Sequence, residues 1–126
     1  MSIQQQLIHA ANWEDRYRLI IQAGRNLPLP NADDLNSMAQ ISGCEVNVWF
    51  KKIEKNDRTF EFLAYNEARI MNGLLWILLQ EINGKSAEQL AGFDIQDFYQ
   101  KLGIASRLSQ TRLNGLKQIE QILHQL

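Results

Sequence analysis

Residues 46–65, VNVWFKKIEKNDRTFEFLAY, carry the clearest strand pattern in the chain. Apolar side chains alternate with other side chains in both halves of this stretch, and the residue types are those enriched in β-strands. The polar segment KNDR at 55–58 separates the halves and has the composition of a turn. The apolar members of the two series are Val46, Val48, Phe50, Phe60, Phe62 and Ala64. The pattern predicts an antiparallel β-hairpin.

Helical patterns flank the predicted hairpin on both sides. Residues 11–24 place Trp13, Tyr17 and Ile20 at helical spacing, and Asn12 stands where a helix-capping residue would. Two alternate prolines in NLPLP at 26–30 then require an extended connection. A second, short helix is predicted over 32–41, just before the chain's single cysteine.

The helix that follows the hairpin has the strongest apolar character. It is predicted from Glu67 to about Ile82, with Asn66 as its cap and Gly84 as its end. Because it is apolar nearly all round between Leu74 and Leu79, it is expected at the centre of the molecule. Further helices are predicted over 86–92, over 94–103 and from about Ser109 to the C-terminus.

These elements predict an α+β fold, in which a small antiparallel sheet packs against several helices. The chain has 126 residues, a common size for one domain, and it shows no internal repeat or low-complexity tract. The prediction is a single domain over 1–126.

Composition argues against several classes of protein. The formal net charge is -1 and no basic block stands out, so the footprint of a nucleic-acid binder is missing. The longest apolar run, GLLWILL at 73–79, is far shorter than the ~20 residues of a membrane helix. The N-terminal residues lack the pattern of a secretory signal, and a lone cysteine suits a reducing compartment. We expect a cytoplasmic protein.

The usual signatures of metal, nucleotide and serine-hydrolase sites are absent from the sequence. The two histidines, His9 and His124, stand near opposite termini, and no paired cysteines or HExxH motif occur. No glycine series for binding phosphate and no GxSxG motif occur either. We therefore expect no cofactor and no metal on this chain.

Cys44 is the remaining candidate for chemistry. A lone cysteine is often only a small buried apolar residue. Here it follows Gly43, between a predicted helix and a predicted strand, where connecting segments are usually at the surface. An accessible thiol is reactive through its thiolate. The sequence favours a reactive Cys44, although its neighbour Glu45 would raise a thiol pKa.

Four blocks of the sequence resemble one family. GCEVNVW at 43–49 resembles the GCxxxVW signature of the SufE/CsdE family of sulfur-acceptor proteins. The segments at 12–28, 67–79 and 102–116 resemble, in the same order, its N-terminal helix, its AxIxxGLxxxL helix and its C-terminal block. The resemblance spans most of the chain and implies a SufE/NifU-like fold.

The resemblance also implies a function. Cys44 would take persulfide sulfur from a pyridoxal-phosphate cysteine desulfurase, stimulate that enzyme and pass the sulfur to iron-sulfur cluster assembly or another acceptor. The pyridoxal phosphate would belong to the desulfurase, and this chain would be a monomer or a weak homodimer. The candidate partner-binding residues are Gly43, Glu45, Asn47, Glu67 and Arg112.

Two alternatives remain open from the sequence. The first is a non-catalytic regulator that activates a desulfurase without carrying sulfur. The second is a cysteine hydrolase, in which Cys44 would pair with His9 or His124. Such a hydrolase would turn over a substrate without a partner protein.

Overall fold

The computed structural model describes residues 2–41 and 48–126, and in them four antiparallel strands form one sheet in the order β1-β2-β3-β4. The strands are β1 (Ala39–Ile41), β2 (Val48–Glu54), β3 (Thr59–Asn66) and β4 (Lys85–Ser86). The α-helices are α1 (Ile3–His9), α2 (Trp13–Gly24), α3 (Ala32–Ser37), α4 (Arg69–Ile82), α5 (Ala87–Leu90), α6 (Ile95–Lys101) and α7 (Gln110–His124), with a 3₁₀ turn at Ala105–Arg107. The predicted α+β class is confirmed. No described helix is long and apolar enough to cross a membrane.

The predicted hairpin forms the centre of the sheet. β2 and β3 pair from Val48 opposite Asn66 to Glu54 opposite Phe60. The turn between them is closed by the Lys55 N–H, which donates to the carbonyl oxygen of Thr59 at 2.8 Å. Arg58 adopts a left-handed conformation with φ of 66° in this turn. The prediction is confirmed for residues 48–65, whereas Val46 falls outside the described residues.

The core lies between the inner face of the sheet and α4. On that face Phe50 and Phe62 stack with ring centroids 5.5 Å apart, and both are buried. Eight of the fourteen residues of α4 are buried, as the predicted all-round apolar helix requires. The Tyr99 hydroxyl of α6 donates to the Leu74 carbonyl oxygen of α4 at 2.7 Å, which satisfies a buried polar group. Helix α4 therefore packs against both the sheet and α6.

Helix α2 packs unusually closely on α4. A Cβ atom built on Gly73 would lie 2.0 Å from the carbonyl oxygen of Ile20, and one on Gly24 would lie 2.8 Å from the backbone nitrogen of Gly73. Only glycine allows two helix backbones to approach so nearly. The predicted cap of α2 is confirmed, since the Asn12 side chain accepts from the Asp15 N–H at 2.9 Å.

Two boundaries predicted from the sequence are wrong. The helix predicted over 32–41 ends at Ser37, and residues 39–41 form β1 because they pair with β2, Ala39 opposite Phe50. Asn66 does not cap α4: it is the last residue of β3, and α4 begins two residues after Glu67, at Arg69, with Ala68 as its cap. In both cases pairing within the sheet outweighs local helix preference.

Candidate functional site

Residues 42–47 carry Cys44 together with Gly43, Glu45 and Asn47, and all four lie outside the described residues. Their predicted roles stay predictions. The described residues do define the two points that this segment joins, Ile41 at the end of β1 and Val48 at the start of β2. These two residues are register partners.

Ile41 and Val48 bound the segment of the sequence that carries Cys44. Val48 in turn pairs with Asn66, so Ile41, Val48 and Asn66 form one row across three strands. We call this row the sheet end. The candidate site is built around it.

The sheet end is held by an asparagine pair. Asn66 is 1% exposed, and its Oδ1 accepts from the Ala68 N–H at 2.7 Å, which turns the chain sharply from β3 toward α4. The Asn66 N–H donates to Oδ1 of Asn72, one turn into α4, at 2.8 Å. These bonds fix the start of α4 to the row of strand ends. Sequence reasoning missed Asn72, although a lone asparagine within an apolar helix is a signal for such a contact.

Substitution of Asn72 tests how much the asparagine pair stabilises the fold. We expect Asn72→Ala to lower the free energy of unfolding by about 1–3 kcal/mol, because the Asn66 N–H then loses its partner in a buried position. Urea denaturation measures the change. Gln80→Ala, an exposed position on the same helix, is the control and should change stability by less than about 0.5 kcal/mol. Equal effects of the two substitutions would contradict a structural role for the pair.

Glu67 lies between β3 and α4 and is exposed, next to the sheet end. Arg112 lies in the first turn of α7, where the Ser109 hydroxyl caps the helix by accepting the Arg112 N–H at 3.2 Å. The half-buried Arg112 side chain lines a cavity of about 70 Å³ together with Ile70, from the first turn of α4. Glu67 therefore lies beside the sheet end. Arg112 lies against the first turn of α4, which begins close to the sheet end.

Aromatic side chains frame the same region. Trp49, one residue into β2, contacts Tyr65 across the strands with ring centroids 6.0 Å apart. Trp13 lines the Arg112 cavity, and the Arg107 guanidinium lies over its ring at 5.2 Å from the centroid. These contacts place aromatic and arginine side chains next to each other near the sheet end.

Two perturbed ionisable groups of the described chain have structural surroundings. Burial raises the pKa of the Tyr99 phenol, which is engaged in the core, and hydrogen bonds from Thr59 lower the pKa of Asp57 in the hairpin turn. Within 2–41 and 48–126, no three histidine, cysteine, aspartate or glutamate side chains are grouped to hold a metal. The role of the Cys44 thiol stays a prediction.

Both histidines that a cysteine hydrolase could use lie at the ends of helices. His124 ends α7, twelve residues and about 18 Å along the helix axis from Arg112. Its Nε2 lies 2.8 Å from the carbonyl oxygen of Phe93. His9 ends α1 and is exposed. The position of His124 does not favour a hydrolase built around the sheet end.

Comparison with known proteins assigns the family. The SufE family model, described as the Fe-S metabolism associated domain, matches residues 1–126. The chain belongs to the SufE family. The GCxxxVW signature of this SufE-family chain therefore spans the segment that leaves Ile41 and rejoins the sheet at Val48 and Trp49.

Individual relatives agree with this family. An uncharacterized SufE-like protein of Haemophilus influenzae is 60% identical over 122 residues, which are 97% of each chain. The sulfur acceptor protein CsdE of Escherichia coli is 35% identical over 113 residues, 88% of this chain and 76% of CsdE. The solution structure of a hypothetical protein from Thermus thermophilus covers 97% of this SufE-family chain and 90% of its own, with a TM-score of 0.76 at 16% identity. That last likeness shows the shared fold.

Proposed function

We propose that this protein is a sulfur acceptor in iron-sulfur metabolism, which takes persulfide sulfur from a cysteine desulfurase onto Cys44. The observation that carries the proposal is the position of the chain's single cysteine within the family signature, in the segment that joins Ile41 to Val48. The SufE family match and the 35% identity to the sulfur acceptor protein CsdE support it.

The transfer is a thiol exchange at sulfur. The Cys44 thiolate attacks the outer sulfur of the desulfurase persulfide, a new S–S bond forms on Cys44, and the old S–S bond breaks. Its electron pair leaves with the desulfurase cysteine, which becomes a thiolate ready for another turnover. No net oxidation occurs, because one persulfide is consumed as one is made.

A single cysteine suits a carrier of this kind. A second thiol within reach would attack the Cys44 persulfide and release its sulfur by forming a disulfide. The sequence contains no second cysteine. The persulfide on Cys44 would therefore persist until an iron-sulfur scaffold or another acceptor removes it, and we place this chemistry in the cytoplasm, where thiols stay reduced.

The described surface around the sheet end has features that suit docking. Val48 is 1% exposed and the asparagine pair fixes the start of α4, so the segment with Cys44 is attached to rigid elements. Glu67 and Arg112 supply opposite charges that a desulfurase surface would contact, together with Gly43, Glu45 and Asn47 of the segment itself. The pyridoxal phosphate that extracts sulfur from cysteine belongs to the desulfurase.

Intact-protein mass spectrometry tests the proposal directly. The protein is incubated with L-cysteine and a pyridoxal-phosphate cysteine desulfurase, beside the Cys44→Ser variant. We expect a gain of one sulfur, about 32 Da, that is removed by reductant and is absent from the variant. Peptide mapping should place the extra sulfur on Cys44. If the protein gains no sulfur, or Cys44→Ser gains as much as the unmodified chain, Cys44 is not the carrier.

A further inference from the structure

A second surface lies between β3 and the C-terminal half of α4. A groove of about 280 Å³ is bounded by the middle of β3, by the second half of α4 and by the extended segment 27–30. Its apolar lining includes Leu27, Leu29, Leu63, Ala64, Trp76 and Leu79. Leu29 is 78% exposed, the largest exposure among the exposed large apolar residues in the described chain. The groove also reaches Asn83, at the opposite end of α4 from the sheet end.

The outer edge of β3 forms one wall of the groove. The Lys55 N–H bonds to the Thr59 carbonyl oxygen, so the backbone N–H and C=O groups of the odd-numbered residues in β3 point toward β2. The backbone groups of the even-numbered residues point toward the opposite edge. On that side β4 pairs only with Thr59 and Phe60, and the Phe62 N–H donates to Asn83 Oδ1 at 2.8 Å. Ala64 is only 4% exposed, so this part of the edge is covered and the side chains around it form the accessible wall of the groove.

The rim of the groove is acidic. Asp34 and Glu61 line it, and none of its lining residues is a lysine or an arginine. Lys55 lies 3.5 Å from Glu61, but both side chains are well exposed, so this pair is weak and exchangeable. The charge therefore favours a basic occupant.

We propose that the groove binds an extended peptide segment of a partner protein, in which an apolar side chain is next to a lysine or an arginine. The apolar side chain would pack against Leu29 and Trp76, and the cation would pair with Asp34 or Glu61. This inference goes beyond the proposed function, because it holds whether or not Cys44 carries sulfur.

The groove extends along α4 from Trp76 to Asn83, and at β3 it comes within two residues of Asn66 in the sheet end.

Peptide titration followed by ¹⁵N NMR tests the inference. The probe is the blocked peptide acetyl-Arg-Val-Leu-Val-Arg-amide, and the matched control is acetyl-Glu-Val-Leu-Val-Glu-amide. We expect saturable binding of the basic probe below about 1 mM. The shifts should concentrate at Leu63, Ala64 and Trp76, and the acidic peptide should bind at least tenfold more weakly at low salt.

Two surface variants complete the experiment. Leu29→Ser should weaken the basic probe at least fivefold, whereas Ile53→Ser, which alters an exposed apolar residue outside the groove, should leave binding unchanged. Both positions are exposed, so folding should be retained. The proposal is overturned by lack of binding, by equal binding of the two peptides, by equal effects of the variants, or by occupation of the groove by a second copy of this chain.

Discussion

Gly73→Ala is expected to destabilise the protein by about 3 kcal/mol or more. The added Cβ would lie 2.0 Å from the carbonyl oxygen of Ile20 and 2.6 Å from its Cγ2. Most of this conflict is with the backbone of α2, so no change of rotamer relieves it, and the two helices must separate. Urea denaturation followed by circular dichroism measures the loss. Separation of α2 from α4 would also disturb the cavity that Ile20, Ile70 and Arg112 line together.

Gly92→Ala is the matched control for this prediction. A Cβ on Gly92 would meet no atom within 4 Å, and its φ is not in the left-handed region. The same chemical change should therefore alter stability by less than about 1 kcal/mol. If Gly73→Ala proved as mild as Gly92→Ala, the close packing of α2 on α4 would be wrong.

Cys44→Ser is expected to abolish stimulation of a cysteine desulfurase. In the proposed cycle the desulfurase is freed when Cys44 removes its persulfide sulfur, and a serine hydroxyl is too poor a nucleophile to do so. Alanine formation from L-cysteine, measured with and without this protein, reports the stimulation. With the variant, turnover should fall to the rate of the desulfurase alone.

A double variant tests whether sulfur transfer needs the thiol at position 44 or only a thiol anywhere on the surface. Cys44→Ser combined with Ser106→Cys moves the single thiol to an exposed residue of the 3₁₀ turn. We expect it to remain inactive, since sulfur transfer needs the thiol in the signature segment. Stimulation retained by Cys44→Ser alone, without sulfur on the protein, would instead identify a non-catalytic regulator.

Much of the fold could be predicted from local patterns. The alternation through Val48, Phe50, Phe60 and Phe62 predicted the hairpin, because a strand with one buried face has a period of two. The apolar run of α4 predicted a central helix for a similar reason. The four blocks that resemble SufE/CsdE proteins predicted the family, which the match over residues 1–126 confirms.

Short elements and long-range contacts could not be predicted in the same way. β1 has three residues, too few for a periodic pattern, and it is a strand because it pairs with β2. Asn66 was assigned to the wrong element, since its hydrogen-bond partners in space decide its role. The contact of Gly73 with Ile20 depends on the packing of two helices and not on either sequence alone.

The class of fold, the family and the single thiol could be read from the amino-acid sequence. They follow from periodicity, from the order of motifs and from a residue type that occurs once, all of which are visible along the chain. The asparagine pair at the sheet end, the cavity shared by Arg112 and Ile70, and the acidic groove beside β3 became visible only in the folded molecule. Each of these joins residues distant in sequence, and burial and hydrogen bonding between elements determine such contacts.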